Sequence, residues 1–354
     1  MFRLFQLAPR YVPVGSFAIV MATGIVAVAV DEIGLTSLAK VVFDFAVLAY
    51  VVLWILFALR LWHFQRELRD GAQRYDRAPG FFAIVAATGV VGTAAASIFS
   101  IPAAYALWVA TIVLWFAMTY TILPGLIISR KKPGIGAGFT GGWLLIVVAT
   151  EAVAVLGAPI AREGPPANAS LVLFASLCFW LVGSMIYVWL ITLIFYRSVF
   201  LPLSADEWTP AYWINMGAVS IATLAGASLL KESSLCPQLN AVASFVAGGT
   251  LALWATATWW IPILIVLWLW RHVRMRVPLR YAQSIWSAVF PLGMYSVATR
   301  SLAGALGTPF LDPLADVFAW LALCAWLASV LALGWWLAHD PLKSETGVSA
   351  VNEP

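Results

Sequence analysis

Ten apolar stretches, each about as long as a bilayer is thick, fill this chain and leave little room for anything else. To within several residues they run over 12–31, 38–62, 80–100, 102–129, 138–157, 171–196, 212–231, 239–270, 282–307 and 314–339. A helical span needs about 20 predominantly apolar residues, and 354 residues allow about 35 per span with loops included. The stretches are too continuous for the alternating strands of a membrane barrel. The eighth contains Pro262 and is the longest, so a tilt or kink is expected there. The sequence predicts an all-α polytopic membrane protein, one transmembrane domain over 1–340 with a short cytoplasmic tail at 341–354.

Composition sharpens the exclusions. Hydrophobic residues make up 63% and charged residues 10%, against ~45–50% and ~25% in soluble domains. A soluble enzyme, a disordered chain and a nucleic-acid binder are ruled out. Three cysteines, Cys178, Cys236 and Cys324, make no disulfide framework. The net charge of +4 reflects topology. With the N-terminus in the cytoplasm, sixteen basic residues fall on that side, from Arg3 and Arg10 through Arg280 to Lys343. Only Lys40, Arg162 and Lys231 fall on the other. This positive-inside bias places the chain in the cell membrane, with both termini cytoplasmic. Arg3, Arg10 and the run ending Ala27-Val28-Ala29 imitate a signal peptide, but the run recurs later, so no cleavage is expected.

The recurrence is Phe17-Ala-Ile-Val-Met-Ala-Thr23-Gly24 against Phe82-Ala-Ile-Val-Ala-Ala-Thr88-Gly89. Ala-Thr returns at Thr150, Thr223 and Thr299, always inside an odd-numbered span. Eight residues before each Thr stands Gly15, Gly80, Gly142, Asn215 or Pro291, four of the five being helix breakers or helix-start residues. Five repeated units of one helix pair each are therefore expected. Odd spans hold the small and polar residues, such as Ser16, Thr93, Ser97, Asn215 and Ser296; even spans are rich in aromatic and branched ones. Helices that pack tightly or line water need the former, and lipid-facing helices tolerate the latter. The expected architecture is five helical hairpins with quasi-fivefold symmetry, an inner ring of odd helices around a central pore.

The Met-Ala-Thr-Gly run, the five hairpins and Trp286-Ser-Ala-Val-Phe290-Pro291-Leu-Gly in span nine resemble the tellurite-resistance/C4-dicarboxylate transporter family. That family takes in tellurite-resistance, malate and sulfite permeases and the plant slow anion channels. The resemblance covers about residues 10–340. It implies a homotrimer with one pore per protomer, anion permeation, and a ninth-helix phenylalanine that plugs the pore, a position matched here by Phe290 beside Pro291. The long regulatory tails of the plant channels are not matched, so gating through such tails is not expected.

Away from the span ends, three charges fall inside the spans: Asp44, Glu151 and Arg300. A charge there costs roughly 2.5–3.5 kcal/mol on insertion scales, so each is a functional candidate by default, although Asp44, near the outer end of an even span, reads as an interfacial or helix-N-terminal group. Glu151 and Arg300 directly follow a repeat Thr; they either pair or face the pore, where Arg300 would attract an anion. Thr23, Thr88, Thr150, Thr223 and Thr299 are candidates for a hydroxyl layer that replaces part of an anion's hydration shell. Val14, Pro79, Gly141, Ile214 and Phe290, nine residues before these Thr, would form a second layer with a single aromatic. His63, His272 and His339 lie in or beside cytoplasmic segments, so no intramembrane His is available for a proton relay, and no catalytic motif, cofactor site or metal site is recognisable. Gly136-Ala-Gly138-Phe-Thr-Gly141 follows a basic loop and not a strand, so it is no dinucleotide fingerprint. The expected function is an anion channel or transporter, for C4-dicarboxylates such as malate or for small anions such as sulfite, chloride or nitrate. A membrane-embedded enzyme or a sensor is the alternative.

Overall fold

The computed structural model describes residues 12–279 and 281–339. Arg3, Arg10, Arg280, Lys343 and the 341–354 tail lie outside the described residues. Ten long helices carry the described chain: α1 (Ala18–Glu32), α2 (Thr36–His63), α3 (Phe82–Ile98), α4 (Ile101–Ile128), α5 (Leu145–Glu163), α6 (Pro166–Phe200), α7 (Ile214–Lys231), α8 (Ala243–Leu269), α9 (Trp286–Leu306) and α10 (Asp312–His339). No strand occurs among the described residues. Nine of the helices, counted among the described residues, are long and apolar enough to cross a membrane. The tenth, α9, has 21 residues but is diluted by Pro291, Tyr295, Arg300 and three serines. The longest is α6, at 35 residues, and not the eighth stretch. That stretch divides into a short helix, Pro237–Ala241, and α8, because Val242 breaks the helical backbone between them.

The odd helices pack against one another in a closed circuit: α1 on α3, α3 on α5, α5 on α7, α7 on α9 and α9 on α1. Each even helix packs on the odd helix before it and also touches the odd helix after it. Burial separates the two sets. In α1, α3, α5 and α7 the most apolar stretch is 78–94% buried, and in the even helices 22–39%. Small residues make the circuit possible. A Cβ added at Gly89 would lie 2.7 Å from the Ala152 Cβ, and one at Gly217 would lie 2.8 Å from the Pro291 Cγ. Only glycine allows those backbones to approach so closely.

Each ring helix begins from a tight 3-10 turn directly before it: Val14–Phe17, Ala78–Phe81, Gly141–Leu144, Pro210–Trp213 and Gln283–Ile285. Proline or glycine in the first four favours such a start. Gly15, Gly80 and Gly142 lie in these turns, but Asn215 and Pro291 lie inside α7 and α9. The helix start is therefore the recurring landmark, and the Ala-Thr pair drifts against it. Thr23, Thr88 and Thr150 stand five, six and five residues past the first residue of their helices, whereas Thr223 and Thr299 stand nine and thirteen past theirs.

Candidate functional site

Counting from the helix starts brings one set of residues onto the ring axis. Seven or eight positions in stand Ile25, Val90, Ala152, Ile221 and Met294, one from each ring helix. All five line a cavity of about 10 Å³, joined one turn further by Val28, Thr93, Val155 and Leu224. A single water needs about that much space, so the axis is closed here by apolar side chains.

Beyond this throat the axis widens into a vestibule of about 300 Å³, again lined by all five ring helices. Its charged walls are Glu32 of α1, Arg162 of α5, Lys231 of α7 and Arg300 of α9, with Glu232 just past α7. Ser97, Ser228 and Ser301 add hydroxyls. Arg300 is ringed by carboxylates: Glu32 at 3.5 Å, Asp312 at 3.9 Å and Asp316, to which it donates a hydrogen bond. Lys231 Nζ donates to Ser301 Oγ at 3.2 Å, and Arg162 bridges Glu163 at 2.7 Å and Glu232 at 3.5 Å. Partly hydrated pairs of this kind add little stability. Their consequence is the potential at the mouth, where cations and carboxylates nearly cancel.

The repeat threonines are not on the axis. All five are fully buried, and each hydroxyl donates to the carbonyl four residues back at 2.7 or 2.8 Å. On the other side the oxygen accepts from an even helix. Trp326 donates to Thr23 at 3.1 Å, Trp115 to Thr150 at 2.8 Å and Trp254 to Thr299 at 3.0 Å. Tyr50 bonds Thr88 at 2.9 Å. In α7 the neighbouring carbonyl of Ala222 takes the bond, from Trp180 at 2.9 Å. Every even helix is thus tied to the ring helix of the following unit. The hydroxyl protons are already in use and none is left for an anion, which corrects the expected threonine layer. Trp326→Phe should lower stability by about 0.6 kcal/mol, the mean for an interhelical bond in a membrane. Thr23→Val, which strands a buried indole N–H, should cost about 1–3 kcal/mol. Thermal unfolding in detergent measures both, with ion flux unchanged in the surviving protein.

Glu151 also turns outward. It is fully buried, Ser184 of α6 donates to it at 3.5 Å, and a Cβ added at Gly183 would collide with its Oε1. The partners of Arg300 are Glu32, Asp312 and Asp316, so of the two alternatives for Glu151 and Arg300 the pair does not form; Arg300 lines the vestibule and Glu151 is not among the axis residues. Phe290 is buried in α9, four residues before Met294, and Pro291 packs against α7 at Gly217. The expected layer of Val14, Pro79, Gly141, Ile214 and Phe290 does not form. Val14, Pro79 and Gly141 lie in the lead-in turns and Ile214 opens α7, while Phe290 is the fifth residue of α9.

Glu32, Arg162, Lys231 and Glu232 are the charged residues that the sequence reading left out of the site. Glu32 ends α1, one residue past the expected span, and Arg162 belongs to α5, which continues through Pro159 to Glu163. A charge at or just past the end of an odd span was the available signal in each, Lys231 being the last residue of the expected seventh span. Among the described residues no cluster of His, Cys, Asp and Glu is placed to hold a metal ion.

Comparison with known proteins matches residues 11–333 to the model of a family described as voltage-dependent anion channel. An uncharacterized membrane protein of Mycobacterium tuberculosis (strain ATCC 25618 / H37Rv) is 38% identical over 148 residues, 42% of this chain and 75% of the relative. An uncharacterized transporter of Methanocaldococcus jannaschii is 23% identical over 152 residues, 43% of each chain.

Proposed function

This chain belongs to the voltage-dependent anion channel family, and on that premise we propose that it passes small anions along the axis of its helix ring. The observation that carries the reading is one continuous line of residues. An apolar throat formed by all five ring helices opens onto a vestibule holding Arg162, Lys231 and Arg300. The throat lining carries no charge. A dicarboxylate such as malate would have to give up the hydration of two charges there with no cation to compensate, whereas a monovalent anion such as chloride or nitrate gives up one. Small monovalent anions are therefore the preferred substrates, and malate, sulfite and tellurite the secondary ones.

In this reading all ten helices span the bilayer as five hairpins of quasi-fivefold arrangement, and three copies assemble with one pore each. Phe290 is the gate. It lies one turn from Met294 on the same face of α9, which carries it toward the axis. The basic loops that follow α2 and α8 face the cytoplasm, as the positive-inside rule requires.

Purified protein in liposomes tests the proposal by chloride efflux and labelled malate uptake. Chloride and nitrate should move at least about tenfold faster than malate, a difference of ~1.4 kcal/mol in barrier. Malate uptake at equal or higher rate would reverse the substrate order. Topology is checked in a cysteine-free background. Gln73→Cys, in the loop after α2, should be shielded from impermeant thiol reagents in intact cells. Ser234→Cys, past the end of α7, should be labelled; the opposite pattern inverts the orientation.

A further inference from the structure

A second cavity, of about 440 Å³, lies away from the axis where α8 ends and α9 begins. Its apolar wall includes Ile265 and Trp268 of α8 and Ala288 and Leu292 of α9, and its polar rim includes Arg271 and His272. Arg271 donates one bond to the carbonyl of Trp208, but its buried Nε has no partner among the described residues. A guanidinium has five donors in a planar fork suited to phosphate. The neighbouring α8 surface is apolar and open, with Ile265 45% and Val266 62% exposed. This is a helix long and apolar enough to cross a membrane, so that surface faces acyl chains. Arg274 and Arg276 follow Arg271 closely, and basic residues at such an end attract anionic headgroups by about 1 kcal/mol each.

We propose that this groove binds one anionic phospholipid of the bilayer, its phosphate on Arg271 and an acyl chain against Ala288 and Leu292, and that the bound lipid biases the gate. The link to the gate is geometric. Phe290 lies two residues after Ala288, roughly 200° around the helix, so the lipid bears on the back of the turn that carries Phe290 and Pro291. This regulatory half rests on the channel reading above; the binding half does not.

Native mass spectrometry of the full-length protein, titrated with phosphatidylglycerol or phosphatidylcholine, reads the binding half. One phosphatidylglycerol per chain should be held roughly tenfold or more tightly than phosphatidylcholine. Arg271→Gln should abolish the preference, and Ala288→Phe, which fills the groove and leaves the Trp208 bond intact, should abolish the binding. Unchanged retention in a folded Ala288→Phe protein, or full displacement by millimolar inorganic phosphate, overturns the lipid site. Chloride flux in vesicles of each lipid reads the regulatory half. Flux should change several-fold between the two lipids in wild type and not in Ala288→Phe, and equal flux in all cases overturns regulation. Specific binding without flux in any lipid would instead sink the channel reading and leave the lipid site standing.

Discussion

Phe290→Ala is expected to raise anion current per molecule roughly tenfold or more, the factor that ~1.4 kcal/mol of barrier carries. One helical turn before the throat residues stand Met21, Ala86, Val148, Gly217 and Phe290, all buried. Only one of the five is aromatic. On the proposed reading that ring occupies the axis beside four smaller residues, one turn before the throat, and its removal takes away the narrowest obstruction on the path. The competing role is packing. A buried Phe cut to Ala in a core costs about 3–5 kcal/mol, which would reduce protein abundance and leave current per molecule where it was. Single-channel recording with parallel quantification of purified protein separates the two. Unchanged unitary current in a well-expressed Phe290→Ala protein removes the gate.

Arg300→Ala should lower anion flux about tenfold at low salt, with the loss shrinking as ionic strength rises. The substitution leaves Glu32, Asp312 and Asp316 without the cation they surround and removes one of the three cations of the vestibule lining, so the potential at the mouth becomes less favourable to anions. Glu32→Gln in the same chain should restore a large part of the flux, because Glu32 is the lining carboxylate that pairs with Arg300. Glu151→Gln should restore nothing, since Glu151 turns toward Ser184. Rescue by Glu151→Gln and not by Glu32→Gln would contradict the arrangement of the vestibule. Arg162 lines the same vestibule, so Arg162→Ala should produce a smaller reduction in the same direction.

Much of the fold was legible because apolar length and residue size are one-dimensional properties. The continuity of the stretches predicted helices, and small and polar residues such as Ser16, Thr93, Asn215 and Ser296 marked those that now form the ring. The site was harder to read, because it depends on which way each side chain turns about its helix. The Ala-Thr word found all five ring helices, yet its threonines serve as acceptors for Trp115, Trp254, Trp326 and Tyr50 on the surrounding helices. Aligning the units on that word also displaced the last two by one and two turns. Thr223 and Thr299 lie deeper in their helices than Thr23 does. Only the helix starts, set by turns such as Gly141–Leu144 and Pro210–Trp213, restore the common level on which Ile25, Ala152, Ile221 and Met294 meet. Glu32 and Arg162 were missed because end residues of an apolar run read as loop. In the structure α1 and α5 carry them into the vestibule.

The central claim is selective anion passage through the ring axis, and the reversal potential of the purified protein in a planar bilayer tests it most directly. Under a tenfold potassium chloride gradient the current should reverse near the chloride equilibrium potential, and Phe290→Ala should enlarge the current without moving that potential. Reversal near the potassium potential, or no conductance from either protein, would contradict it.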